Sequence, residues 1–148
     1  MKKWRRILIV LAFVALPVAA QDGLHIAKFF DGRYRERKDA VEVIMKGRSV
    51  MEYGLSVFHS LALERPGGDV AEMERCVKLD GARAIDSEVG MKGGRLYYGF
   101  YQLQPKDGEN RYLFYRNDAL GNQKRGGVTL IFMQGVATLD MIRKNFMK

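Results

Sequence analysis

Cysteine is almost missing from this chain. Cys76 is the only one, so no intrachain disulfide can form and a zinc site built on cysteines is excluded. Histidine is nearly as scarce, with only His25 and His59. The common catalytic signatures are absent too. Ser56 sits in Tyr-Gly-Leu-Ser-Val, which lacks the second glycine of a nucleophile elbow, and there is neither a His-Glu-x-x-His run nor a P-loop. No cofactor motif is present, so no cofactor and no metal are expected. Nor is there an apolar run long enough to span a bilayer, which takes about 20 residues as a helix; the uncharged stretch Ile7–Val18 has 12.

That stretch nevertheless has a clear build. Lys2, Lys3, Arg5 and Arg6 precede it, and the small residues Val18-Ala19-Ala20 follow it. A basic start, a short apolar middle and a small-residue end are the parts of a cleavable secretory signal peptide. Residues 1–20 are therefore read as a signal segment cut between Ala20 and Gln21, with residues 21–148 as a single domain. The expected location is the periplasm or the medium. No cysteine follows the cut for a lipid to be attached to, so no stable membrane anchor is expected.

Export changes the meaning of the charge. The net charge is +8, from 25 basic and 17 acidic residues. Four of the basic residues and none of the acidic ones lie in 1–20, which leaves +4 on the remainder. Such a balance supports solubility and weak attraction to anionic surfaces. It does not argue for nucleic acid, and an exported protein is not expected to meet any.

Residues 21–148 are enough for one core. Leu24–Tyr34 carries apolar residues at helical spacing, with Asp22 placed to cap it. Arg33, Arg35, Arg37 and Lys38 follow, either as an anion-binding patch or as a solvated linker. Ala40–Lys46 is rich in β-branched residues and stops at Gly47, the pattern of a strand. Leu55–Leu63 alternates with period two and predicts a half-buried strand with Leu55, Val57, His59, Leu61 and Leu63 on one face. After the break at Pro66-Gly67-Gly68, Asp69 and Glu72 mark a helix start. Val70, Met73, Cys76 and Val77 form its inner face, Glu74 and Lys78 an i,i+4 pair, and Asp80-Gly81 its end. Ala82–Asp86 reads as a short strand.

Arg95–Gln104 and Arg111–Asn117 form a hairpin around Asp107-Gly108. Gly121–Gly127 is a polar turn, Val128–Gln134 a strand ended by Gly135, and Val136–Met147 a helix with Leu139, Ile142 and Phe146 inward. Strands grouped as hairpins, with helices at the ends and in the middle, give an α+β fold. The expectation is an antiparallel sheet of about four to six strands with helices packed mainly on one face.

Chemistry is thinly represented. Cys76 and His59 are the only candidates for a thiol dyad, but each falls on an apolar face and reads first as core. The carboxylate pairs Asp86/Glu88 and Asp107/Glu109 are two apart and expected in turns. Tyr97, Tyr98, Tyr101, Tyr112 and Tyr115 stand out in the hairpin. Tyrosine gives large contact area at low entropic cost and is enriched at interfaces. These five are the candidate interaction surface, the other reading being that they fill the core and its rim.

The early amphipathic helix, the strand ending in Lys46-Gly47, Tyr53–Leu63, Leu79–Ser87 and Leu130–Ile142 together resemble small exported α+β domains of unknown function of Bacteroidota type. The resemblance implies an α+β fold and export, and it brings no catalytic residues with it. Two functions are then expected in order. The first is a non-enzymatic module of the cell envelope that binds a protein or peptide. The second is an uncharacterised periplasmic or secreted hydrolase acting on an envelope or imported polymer.

Overall fold

A computed structural model describes residues 23–65, 67–121 and 126–147. The signal segment and most of the Gly121–Gly127 turn lie outside the described residues. Six antiparallel strands form one sheet in the order β1-β2-β6-β5-β4-β3. The strands are β1 (Ala40–Lys46), β2 (Leu55–Leu63), β3 (Asp86–Lys92), β4 (Arg95–Lys106), β5 (Glu109–Asn117) and β6 (Val128–Gly135). Among the described residues three α-helices accompany them: α1 (Arg48–Met51), α2 (Val70–Gly81) and α3 (Leu139–Phe146). The sheet is a meander from β3 to β6, extended by β2 and then β1. The expected α+β class and antiparallel sheet are what the chain forms.

Two turns hold the meander in register. Asp107 and Gly108 both have positive φ (54° and 78°), as do Gly93 and Gly94 (56° and 76°). Paired left-handed residues make the two-residue turn whose twist matches that of the flanking strands. The hairpin is accordingly tighter than the six-residue loop read from sequence, and its strands run on to Lys106 and back from Glu109. Gly93-Gly94 is the turn of a second hairpin, whose first arm is β3. The short strand expected over Ala82–Asp86 is turn and irregular chain up to Ile85, and only its last residue, Asp86, joins β3.

One face of the sheet carries the larger core. Leu61 and Leu63, Leu96 and Leu103, Leu113 and Tyr115, and Val128, Leu130 and Phe132 form this core with the inner side of α2. Val70, Met73, Cys76 and Val77 are all buried there, as their spacing requires. The stretch expected as an N-terminal helix winds as a tighter 3-10 segment, His25–Phe30, which buries Ile26, Phe29 and Phe30 beside α2. Full burial of such side chains stabilises by about 1.5–3 kcal/mol each.

Room in this core is made by glycine. A Cβ on Gly81 would lie 2.7 Å from Cδ1 of Tyr101, and a Cβ on Gly99 would lie 2.7 Å from its Cε2. The ring of Tyr101 is thus clasped between the end of α2 and its own strand.

The opposite face holds a smaller core of Leu55, Phe100, Tyr112 and Met133 under Val50, Ala137 and Ile142. Helix α3 begins three residues later than expected, because Thr138 caps it by accepting a bond from the Met141 N–H. Ile142 is its buried residue, with Leu139 and Phe146 half-buried beside it.

Three local expectations are corrected. Asp69 has helical backbone and does not cap α2; it accepts the Tyr34 hydroxyl instead and lies near Arg37. Glu74 does not pair with Lys78. It is buried, and it accepts the Leu96 N–H at 2.5 Å and Arg95 Nε at 2.9 Å, tying α2 to β4. Leu55 does not share a face with the rest of β2. The register shifts between Leu55 and Val57, and such a bulge turns Leu55 onto the smaller core.

Candidate functional site

The thiol dyad is separated by its partners. Cys76 is wholly buried, and its Sγ lies 3.6 Å from the Glu72 carboxylate, which also takes Arg75 and Lys28. Burial pushes the thiol pKa up, the opposite of what a nucleophilic cysteine needs. His59 is buried against Phe30, with ring centroids 4.0 Å apart, and its Nε2 lies 2.6 Å from a Glu42 oxygen. Desolvation outweighs the Glu42 attraction and lowers the His59 pKa.

The carboxylate pairs take other partners. Asp86 and Glu88 lie in strand β3 rather than a turn, with Arg143 3.7 Å from Glu88. Glu109 accepts Ser56 Oγ and Gln134 Nε2, both at 3.2 Å. Two arginines of the basic run find acids within it: Arg33 pairs with Asp31 and Arg37 with Asp39. Among the described residues no group of three or more His, Cys, Asp or Glu could hold a metal ion. No described helix is long and apolar enough to cross a membrane.

The five tyrosines divide. Tyr101, Tyr112 and Tyr115 are buried. Tyr112 donates its hydroxyl to the Ala137 carbonyl at 2.7 Å, and burial pushes the Tyr115 phenol up to about 12. These three are core and have no surface to offer a partner. Tyr97 is half-buried under cations, with Lys92 Nζ 3.9 Å from its ring centroid and Arg116 also over it. Tyr98 lies on the face of the smaller core, edge-on to Phe114 at 5.6 Å.

Two surface features among the described residues bear on function, and local sequence pattern announces neither. The first is a cleft of about 310 Å³ walled by Leu24, Leu79 and Leu103, with His25, Asp80 and Arg111 around it. The Asp80 carboxylate is buried. It accepts the N–H groups of His25 and Ile26 and faces His25 Nδ1, each at 2.9 Å. Asp80 therefore fixes the start of the 3-10 segment to the end of α2.

The second feature is the uncovered part of the smaller core's face. The register places Val41 and Val43 of β1, Ser60 and Ala62 of β2, Thr129 and Ile131 of β6, Phe114 and Arg116 of β5 and Tyr98 of β4 side by side across five strands, with Arg116 the one charge among them. Val41, Val43 and Arg116 are exposed and the others partly so. The band runs into a slot of about 80 Å³ beneath Phe146 and Met147, floored by Phe58, Phe114, Ile131 and Met133. Phe58 and Phe146 stack across it with centroids 5.7 Å apart. At about 30 Å³ per water in the liquid, the slot has room for one small aliphatic side chain. Period two within each strand could have suggested this face, but only the strand order brings the residues together.

No curated protein and no solved structure matches the chain. One family model matches it over residues 13–146, nearly the whole length, and the chain belongs to that family, the family of unknown function DUF6108.

Proposed function

We propose that the chain is an exported, non-enzymatic interaction module of the cell envelope, binding a protein or peptide through an apolar anchor. The observation that carries this is the half-open second sheet face. Monomeric proteins rarely leave a contiguous apolar band exposed unless something binds there. Here Tyr98, Phe114 and Ile131 lead from such a band into a slot sized for one side chain. Export rests on the build of residues 1–20 and gives the class of partner.

The test is selection of peptides from a random display library against the protein, alongside capture from an envelope extract. Peptides with an aliphatic or aromatic anchor should be enriched. Tyr98→Ala and Ile131→Asp should abolish their binding while the far-ultraviolet dichroism stays unchanged. If the folded wild-type protein selects no peptide and captures no partner, the reading fails.

A hydrolase is the second reading, favoured by the His25–Asp80 pair at the mouth of the larger cleft. A carboxylate-oriented histidine can serve as a general base for water. The two readings part on His25→Ala, which would abolish turnover of an envelope polymer in a hydrolase and leave peptide binding intact in a module.

A further inference from the structure

We propose that two copies of the chain pair edge to edge through β1, forming one continuous twelve-stranded sheet about a two-fold axis at Ile44. This inference does not depend on the heterotypic binding proposed above, since it uses the sheet edge and not the open face. The two edges of the sheet differ. β3 is acidic, with Asp86 and Glu88, contains Gly90, and shifts register between Gly90 and Met91. Short, charged or irregular edges of this kind resist pairing. β1 pairs with β2 over all seven residues with no shift, and Ile44 near its middle, off the open face, is exposed. Its one acid, Glu42, is turned onto His59.

The phase of the outer edge follows from one bond. The Glu64 N–H donates to the Asp39 carbonyl at 2.9 Å, and the register sets Ala40 opposite Leu63. Odd-numbered residues of β1 therefore bond to β2, since both backbone groups of a residue in an antiparallel pair point the same way. The N–H and C=O groups of Glu42, Ile44 and Lys46 point outward with no strand to receive them.

An antiparallel copy can meet these groups in several registers, and charge selects among them. With Ile44 facing Ile44 of the second copy, Glu42 faces Lys46 of the second copy and Lys46 faces Glu42 of the second copy. Sliding until like residues meet at the axis opposes two Glu42 or two Lys46. The intermediate registers set Glu42 or Lys46 against Ile44. The Ile44-centred register alone pairs both charges, through the Glu42 oxygen not held by His59. It also makes three hydrogen-bonded pairs, and cross-strand pairs of opposite charge favour it further. A two-fold contact of this kind is self-complementary and closes at two copies.

The test is sedimentation equilibrium of purified protein beginning at Gln21, which holds every described element of the fold. The expected result is a reversible dimer whose population grows between about 5 and 500 µM. Ile44→Pro removes an outward N–H while leaving the β1–β2 bonds intact, so it should give a folded monomer. Lys46→Glu, at an exposed position, should weaken the dimer about tenfold or more by opposing Glu42. Met91→Lys on the other edge should leave the dimer unchanged. A wild-type protein that stays monomeric across the range, a folded Ile44→Pro that still dimerises, or assembly beyond two copies would overturn the proposal. The peptide selection above is read on the open face, so either result can fail without the other.

Discussion

Asp80 gives the most direct measure of how the N-terminal segment is held. Its carboxylate, 3% exposed, receives two backbone N–H groups and one histidine ring. A hydrogen bond to a charged group contributes about 1.5–3 kcal/mol, and a buried N–H left without a partner costs about 1–3 kcal/mol. Ile26 is wholly buried, so its amide has no ready access to water once the carboxylate is gone. The His25 ring is 56% exposed, which holds its share below about 1 kcal/mol. Asp80→Ala should therefore cost about 3 kcal/mol, seen as a lower urea midpoint and a Tm lower by about 10 °C for a domain of this size. Asp80→Asn keeps one acceptor oxygen and should cost about half as much. His25→Ala should cost less than about 1 kcal/mol. Native-state hydrogen exchange should show the amides of Ile26 to Phe30 opening first in Asp80→Ala. A loss below about 1 kcal/mol for Asp80→Ala, or equal losses for Ala and Asn, would refute the assignment of Asp80 as the clamp of this segment.

Three further outcomes follow from the same packing. His59 is held neutral by burial, with its pKa below the usual 6.5. Its contribution is fully present above about pH 6.5, and it is lost as pH falls from there toward the folded-state value, because the unfolded chain takes the proton first. Urea midpoints of wild type and His59→Gln at pH 7.5 and 5.0 should show a smaller acid-side loss in the variant. Cys76 should resist thiol reagents in the native state and react in full in urea, because burial raises its pKa and hides it; rapid native labelling would contradict the placement. Gly81→Ala should lose up to about 2 kcal/mol by urea titration. The helix gains about 1 kcal/mol from alanine, but the new methyl drives into the Tyr101 ring at a typical overpacking cost of about 1–3 kcal/mol. In a Tyr101→Leu background the same change should turn neutral or stabilising.

How much of this was legible in the sequence depended on whether each element buries one side. β2 apart from Leu55 could be read, as could the inner faces of α2 and α3, because one-sided burial writes a period into the chain; β1 was legible instead from its β-branched residues and the glycine that ends it. β3 could not be read. It is an edge strand whose Val89 and Met91 are both exposed, so burial imposes no alternation on it. The β4–β5 hairpin was legible as strands but not as faces. Tyr101 and Tyr115 enter one core while Tyr112 and Phe100 enter the other, and a sheet covered on both sides carries aromatics at every position. The tyrosines that look most like a surface are therefore mostly core. The long-range partners were silent for a different reason. Tyr34 with Asp69, Glu74 with Leu96 and His25 with Asp80 join residues 22 to 55 positions apart, and no local rule anticipates them.

The open band on the second face follows from a mismatch of lengths. Five spacings of about 4.8 Å make the six-stranded sheet about 24 Å wide. Helix α3 has eight residues, which at 1.5 Å each span about 12 Å. Its side chains run from Glu88 of β3, which Arg143 meets, to Phe58 of β2, on which Phe146 stacks, and it leaves Val41 and Val43 of β1 exposed. On the other face the twelve-residue α2 and the 3-10 segment together supply enough length, and the core there is closed. A sheet that is apolar on both sides but fully roofed on only one has an unsatisfied area by construction. Lengthening α3 by a designed turn that covers Ile131 and Phe114 should raise stability and abolish peptide selection together. Stabilisation with peptide binding retained would show that the band is merely a thinly covered core.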